Sequence, residues 1–91
     1  MDKWYLQTKV EFGGKKYLLS TTSFEYLGET MVGLMGYSFE TMLFKLDKHG
    51  DMIPRELYCE RYDTKEEAEK HHHELIGLLK DGVKIWEVWR C

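Results

Sequence analysis

Three consecutive histidines, His71-His72-His73, are the residues of this chain most able to do acid–base or metal chemistry. They fall in a segment with helical periodicity, where neighbouring residues point about 100° apart, so three in a row cannot bind one metal ion. His72 shares a stripe with the apolar residues of that helix, whereas His73 points to solvent. The simpler interpretation of His72 is a histidine at the edge of the core, hydrogen-bonded to a sheet residue. The pattern predicts no metal site and no cofactor.

Arg61 and Glu40 are two charged residues that fall within predicted strands. The planar guanidinium of Arg61 suits two-point contact with a carboxylate or another anion. In the simpler interpretation Arg61 is a surface residue whose stem covers aromatic area. Glu40 could pair with Arg61 inside the fold, which would make both residues structural. Nothing in the spacing places Cys59 beside a histidine, so no catalytic residue is predicted and the chain is not expected to be an enzyme.

The segment 64–80 organises the chain, because it is the one long stretch with helical periodicity. Thr64 and Glu67 form the capping-box pattern at its start, and Gly82 can adopt the left-handed conformation that ends a helix. The apolar residues line a single stripe, so this helix should lie on a sheet. That stripe consists of Ala68, Leu75, Ile76 and Leu79.

The rest of the chain alternates in the manner of strands, with Gly13-Gly14 forming a tight hairpin turn. The third strand is apolar on both faces and should be central. Pro54 is expected to prevent the fourth strand from starting early. The strands are predicted at 4–12, 15–22, 38–46, 56–62 and 83–90, and 23–37 is predicted to be a long ordered loop.

These elements predict the order ββββαβ and a small two-layer α+β domain that comprises residues 1–91. A mostly antiparallel sheet of four to five strands would be packed by one amphipathic helix. The net charge of −3 argues against direct nucleic-acid binding, and no apolar run approaches the length of a membrane span. Met1 leads into Asp2 without a signal-peptide pattern, which predicts a cytosolic location. The two cysteines do not make a disulfide framework, and Cys59 is read as a small core residue.

Four segments resemble a family of small uncharacterised proteins of tailed bacteriophages and prophages. They are Leu19-Ser20-Thr21, Phe39-Glu40-Thr41-Met42-Leu43-Phe44, Cys59-Glu60-Arg61-Tyr62 with Thr64 following, and Glu66-Glu67-Ala68 with His72. The family usually has glycine where His71 stands here, and its loop often contains a proline that this chain lacks. The resemblance implies expression in the cytoplasm of a bacterial host, and it implies no activity. Because Glu40, Arg61 and His72 all match the family pattern, a sharper hypothesis joins His72 to Glu40 or Arg61 in one polar binding site.

Trp86 and Trp89 belong to an aromatic surplus that so small a core does not need to bury. Exposed tryptophan is enriched at protein interfaces, so these residues and the glycine-containing loop are the predicted contact surface. The leading functional hypothesis is a non-enzymatic phage accessory protein that binds a host or phage protein, for example to inhibit a host defence complex. The alternatives are a module that binds or sequesters a nucleotide or metabolite through Arg61, His72 and the loop, and a homo-oligomeric structural component of the virion.

Overall fold

Four strands form one antiparallel sheet in the order β1-β2-β3-β4 in the computed structural model, which describes residues 5–23 and 39–88. The strands are β1 (Tyr5–Phe12), β2 (Lys15–Ser23), β3 (Phe39–Leu46) and β4 (Met52–Tyr62). The helices are α1 (Lys65–Lys80) and α2 (Ile85–Val88). Because α1 packs on one face of the sheet, the predicted α+β class is confirmed.

The Gly13-Gly14 turn sets the register between β1 and β2. Gly13 and Gly14 connect the strands with φ angles of 58° and 75°, which suit a two-residue turn whose twist matches the strands. Val10 on β1 lies opposite Tyr17 on β2. Leu19, two residues further along β2, lies opposite Leu43 on β3. Residues in register share a face, so one set of alternating positions on each strand points toward α1. β3 is central, as its two apolar faces predicted.

The helix α1 begins and ends as the sequence predicts. Thr64 caps it by accepting a hydrogen bond from the backbone N–H of Glu67 at 3.1 Å. At the other end Gly82 has a φ of 83°, and the N–H groups of Gly82 and Val83 bond to the carbonyls of Leu79 and Leu78. This is the Schellman arrangement, which satisfies carbonyls that the last turn leaves without partners.

The core lies between α1 and the sheet. Leu19, Leu43, Leu79 and Ile85 are completely buried there. Val10, Tyr17, Tyr58 and Leu75 complete the buried cluster. Burying a leucine or isoleucine side chain contributes about 1.5–3 kcal/mol, so this cluster is what holds α1 to the strands.

The expectation that Pro54 delays the fourth strand is wrong. β4 begins at Met52 and includes Pro54. The reason is its position: β4 is an edge strand, where an amide that faces outward needs no ladder partner. A register shift after Leu43 leaves Leu57 without a partner on β3, and its side chain packs against the core instead.

The predicted fifth strand is also wrong where the structure describes it, since Ile85–Val88 form the short helix α2. The spacing of the apolar residues in this segment fits both the period of a helix and that of a strand. One turn of helix allows Ile85 to be buried against α1 while the neighbouring Trp86 packs on Tyr17 of the hairpin. Trp4, the predicted loop from residue 24 onward and the segment 89–91, with Trp89, lie outside the described residues.

Candidate functional site

Glu40 and Arg61 form the ion pair that the sequence allowed. They are opposite each other on β3 and β4, and Arg61 Nε lies 2.8 Å from Glu40 Oε2. The Glu40 side chain is 10% exposed and that of Arg61 46% exposed. Glu40 therefore relies on Arg61 for compensation of its charge, while nearly half of the Arg61 side chain remains exposed to solvent.

His72 lies on the other side of the sheet from this pair. Glu40 and Thr41 are consecutive strand residues and point to opposite faces, and Thr41 belongs to the face that α1 covers. His72 is 1% exposed and is on α1. The hypothesis of one polar site that joins His72 to Glu40 or Arg61 is therefore wrong, because the sheet separates them.

The partners of His72 are threonines on the two strands below it. Thr8 Oγ1 lies 2.9 Å from Nε2 of the ring, and Thr21 Oγ1 lies 2.8 Å from Nδ1. Thr21 in turn lies 2.6 Å from Thr41 Oγ1. The simpler interpretation of His72, a core histidine bonded to the sheet, is confirmed. Both ring nitrogens are engaged, so the ring orientation is fixed.

The hydrogen-bonded chain continues across the sheet to a carboxylate. Thr41 bonds to the hydroxyl of Tyr62, which donates to Glu60 Oε2 at 3.0 Å. Tyr58 donates to the same oxygen at 2.5 Å. The network thus runs from β1 to β4 and includes α1 through His72. We call this set the threonine–histidine network: Thr8, Thr21, Thr41, Tyr58, Glu60, Tyr62 and His72.

The hydrogen bonds of this network have one consistent direction when His72 is neutral. Thr8 donates to Nε2, and Nδ1–H donates to Thr21; Thr21 then donates to Thr41, and the chain ends at the ionised Glu60. Burial lowers the pKa of His72, and repulsion from His73 lowers it further. A charged ring would have two donors and would reverse the bond from Thr8.

The two tyrosines at the end of the network are held in their protonated forms. Burial raises the pKa of Tyr58 and of Tyr62, and the negative charge of Glu60 raises both further. Each hydroxyl therefore acts as a donor to the carboxylate, and neither is prepared to act as a base at neutral pH. The arrangement is one that fixes α1 on the sheet.

The sequence analysis did not find the threonines of this network. Their signal was present, since Thr21 and Thr41 occupy inward positions of the alternation on β2 and β3. An inward threonine beneath a histidine on an apolar helical stripe indicates a paired polar group in the core.

A groove runs between α1 and β4, on the side of the helix away from β1. It has a volume of about 420 Å³. Leu75, Leu78 and Tyr58 give it an apolar floor, and Glu60 and Glu74 place carboxylates on it. His71 also lines the groove; its ring lies 5.0 Å from that of Tyr62, and its Nδ1 is 4.0 Å from Glu60. We call this the α1–β4 groove.

Trp86 is half-buried at the opposite end of the sheet and lines a second cavity. Its ring centroid lies 5.3 Å from that of Tyr17 and 6.2 Å from that of Phe12. The structure thus separates the predicted binding residues onto different surfaces, with Glu40 and Arg61 on the uncovered face, His72 in the core and Trp86 beside the hairpin.

Within residues 5–23 and 39–88, no cluster of three or more histidine, cysteine or acidic side chains is placed to hold a metal ion. No helix in these ranges has the length and apolar character needed to cross a membrane. Cys59 is half-buried and disulfide-bonded, so the interpretation of Cys59 as a small core residue outside any disulfide is wrong.

Comparisons with protein-family models, with curated proteins and with solved structures give no match to this chain. The fold and the site therefore define its class: a small α+β domain with a polar network beneath its helix and an open groove beside its edge strand.

Proposed function

We propose that this protein is a non-enzymatic binding domain that takes an extended segment of a partner protein along β4. The observation that carries the proposal is the α1–β4 groove, which runs beside the outer edge of the sheet. Among the described strands none pairs with that edge. α1 packs more closely on β1 than on β4, which leaves the groove open. A sheet edge beside a groove is the geometry by which strand addition binds peptides.

The chemistry of the groove selects the segment. Backbone hydrogen bonds to β4 would supply affinity, and alternate side chains of the segment would enter the groove. Leu75 and Leu78 favour an apolar side chain, while Glu60 and Glu74 favour a basic one near it. Pro54 has no amide to donate, so pairing is expected along Glu56–Tyr62 rather than along the whole strand.

The resemblance to phage proteins supports the biological setting of this proposal. The partner would be a host or phage protein met in the cytoplasm of a bacterial host, and inhibition of a host defence complex is one such task. A disulfide is more typical of oxidising compartments, so the bond at Cys59 weighs against a cytoplasmic location. An oligomeric virion component is a further alternative, and measurement of mass in solution separates it from a monomeric binder.

Selection from a random peptide display library tests the proposed groove. We expect the selected peptides to combine an apolar residue with a basic one, and to shift the amide resonances of Glu56–Tyr62 and of the α1 residues that face β4. Glu74→Lys should abolish binding by reversing a charge inside the groove. Glu69→Lys is the matched control, because Glu69 is an exposed residue of α1 that does not line the groove.

Two results would contradict the proposal. In one, the selected peptides shift resonances only outside the groove. In the other, Glu69→Lys weakens binding as much as Glu74→Lys, which would indicate attraction to the overall charge of the helix. The prediction that Trp86 and Trp89 form the surface that contacts the partner would then be the one to test. Peptide binding by Trp86→Ala would be measured for that purpose.

A further inference from the structure

The second cavity lies between the β1–β2 turn and the segment that joins α1 to α2. It has a volume of about 400 Å³ and shares no lining residue with the α1–β4 groove. Its lining combines three aromatic rings with three lysines: Phe12, Tyr17, Trp86, Lys15, Lys45 and Lys84. We call it the lysine–aromatic cleft.

The rings give the cleft an apolar wall. Phe12 and Tyr17 stack at 4.9 Å with their planes 18° apart, and Trp86 is inclined by 33° to Tyr17. Tyr17 is buried, whereas Phe12 and Trp86 are half-buried and keep part of their surface in the cleft. Such a wall suits a planar ring, because aromatic groups gain from offset stacking beyond the area that they bury.

The lysines give the cleft an excess of positive charge in a chain whose net charge is −3. Lys84 has a carboxylate 3.8 Å away in Glu87, in a pair that is exposed on both sides. In the part of the chain that the structure describes, neither Lys15 nor Lys45 has an ion-pair partner, and no carboxylate lines the cleft. A ligand with more than one negative charge would meet this excess.

We propose that the lysine–aromatic cleft binds a nucleoside monophosphate, with its base against the rings and its phosphate among the lysines. A phosphate monoester carries about −1.5 to −2 charges at pH 7, which matches two unpaired lysines beside a shared third. The cavity volume falls within the range of about 300–1,000 Å³ that small-molecule sites occupy. The lysines are point charges on flexible stems, which suits a phosphate. This inference concerns a site separate from the proposed peptide groove, and neither depends on the other.

Calorimetric titration of the full chain with AMP, GMP, CMP and UMP tests the proposal. We expect at least one of them to bind, with an affinity that falls as salt is added because exposed charges are screened. Adenosine and guanosine without phosphate, and inorganic phosphate without a ring, should each bind more weakly than the corresponding nucleotide. Failure of all four nucleotides to bind would overturn the proposal, as would phosphate binding equal to that of a nucleotide.

Charge-removing variants locate the site. Lys15→Gln with Lys45→Gln should weaken nucleotide binding by about tenfold, since each exposed ion pair contributes modestly by itself. Lys16→Gln is the matched control, because Lys16 follows Lys15 in β2 but does not line the cleft. Trp86→Leu should remove the preference for nucleotide over phosphate. In wild-type protein the nucleotide should shift the amide resonances of Gly13 and Gly82, and shifts confined to other residues would overturn the assignment without reliance on any variant.

Discussion

At the scale of single residues, His72 shows how one polar side chain can be buried without destabilising the fold. The residue is 1% exposed, and both ring nitrogens have threonine partners at hydrogen-bond distance. A buried polar group without a partner costs about 1–3 kcal/mol, so the threonines and the histidine must be present together. This is the reason that an ionisable residue can occupy the apolar stripe of α1.

The lowered pKa of His72 predicts that stability falls in mild acid. The unfolded chain takes up a proton as the pH falls through about 6.5, the ordinary histidine value, whereas folded His72 resists protonation until a lower pH. The unfolded state therefore binds more protons in that window, and the free energy of unfolding decreases as the pH is lowered through it. Denaturant titrations at a series of pH values measure this dependence. His72→Gln should flatten it, and His73→Gln should retain most of it. A slope unchanged by His72→Gln would contradict the assignment.

Removing a threonine hydroxyl from β2 should lower the stability of the fold when that threonine belongs to the network, and not when it is exposed. Thr21→Val keeps the shape of the side chain but leaves His72 Nδ1 without a partner and removes one of the two hydrogen bonds of Thr41. We expect a loss of about 2 kcal/mol in the free energy of unfolding, as for other unsatisfied buried polar groups. Thr22→Val is the matched control, because Thr22 is exposed on the same strand. Equal effects of the two substitutions would show that strand propensity, and not the network, determines the result.

At the scale of elements, α1 is a helix whose two ends are fixed by local chemistry. Thr64 accepts from the Glu67 N–H and donates to the Glu67 carboxylate at 3.3 Å. Thr64→Ala should therefore lower the free energy of unfolding by about 1 kcal/mol, the usual effect of losing a helix cap. Thr64→Ser retains the hydroxyl and should stay close to the wild type in the same urea titrations. A Thr64→Ser loss as large as that of Thr64→Ala would point to the methyl group instead.

The sequence predicted those elements whose cause is local. The helix cap and the Gly13-Gly14 turn both follow from residues close together in the chain. The errors arose where distant packing decides. Nothing local shows that β4 is an edge strand that tolerates Pro54, or that Trp86 has Tyr17 to stack on.

The candidate sites were less predictable than the fold for the same reason. The pairing of Glu40 with Arg61 was one of the alternatives that the sequence left open, and the face that the pair occupies depends on register across three strands. The α1–β4 groove depends on where α1 lies across the sheet, which no residue of α1 determines alone. The lysine–aromatic cleft brings together residues from all four strands, from α2 and from the segment that joins α1 to α2, so its members share no sequence pattern.

At the scale of the whole molecule, the threonine–histidine network joins all four strands to α1, and the apolar cluster does the same beside it. Loss of α1 would expose Leu19 and Leu43 and break the hydrogen bonds of Thr8 and Thr21 to His72 at once. We therefore expect α1 and the sheet to unfold in one cooperative step, as small single cores usually do.

Native-state hydrogen exchange measures this directly. The amides of Leu75 and Leu79 should exchange with the same free energy as those of Leu19 and Leu43. The amides of Glu56–Tyr62 on the open edge serve as the internal comparison, since local opening there needs no loss of α1. Exchange from α1 at a clearly lower free energy than from β2 and β3 would show that the network does not couple the two layers.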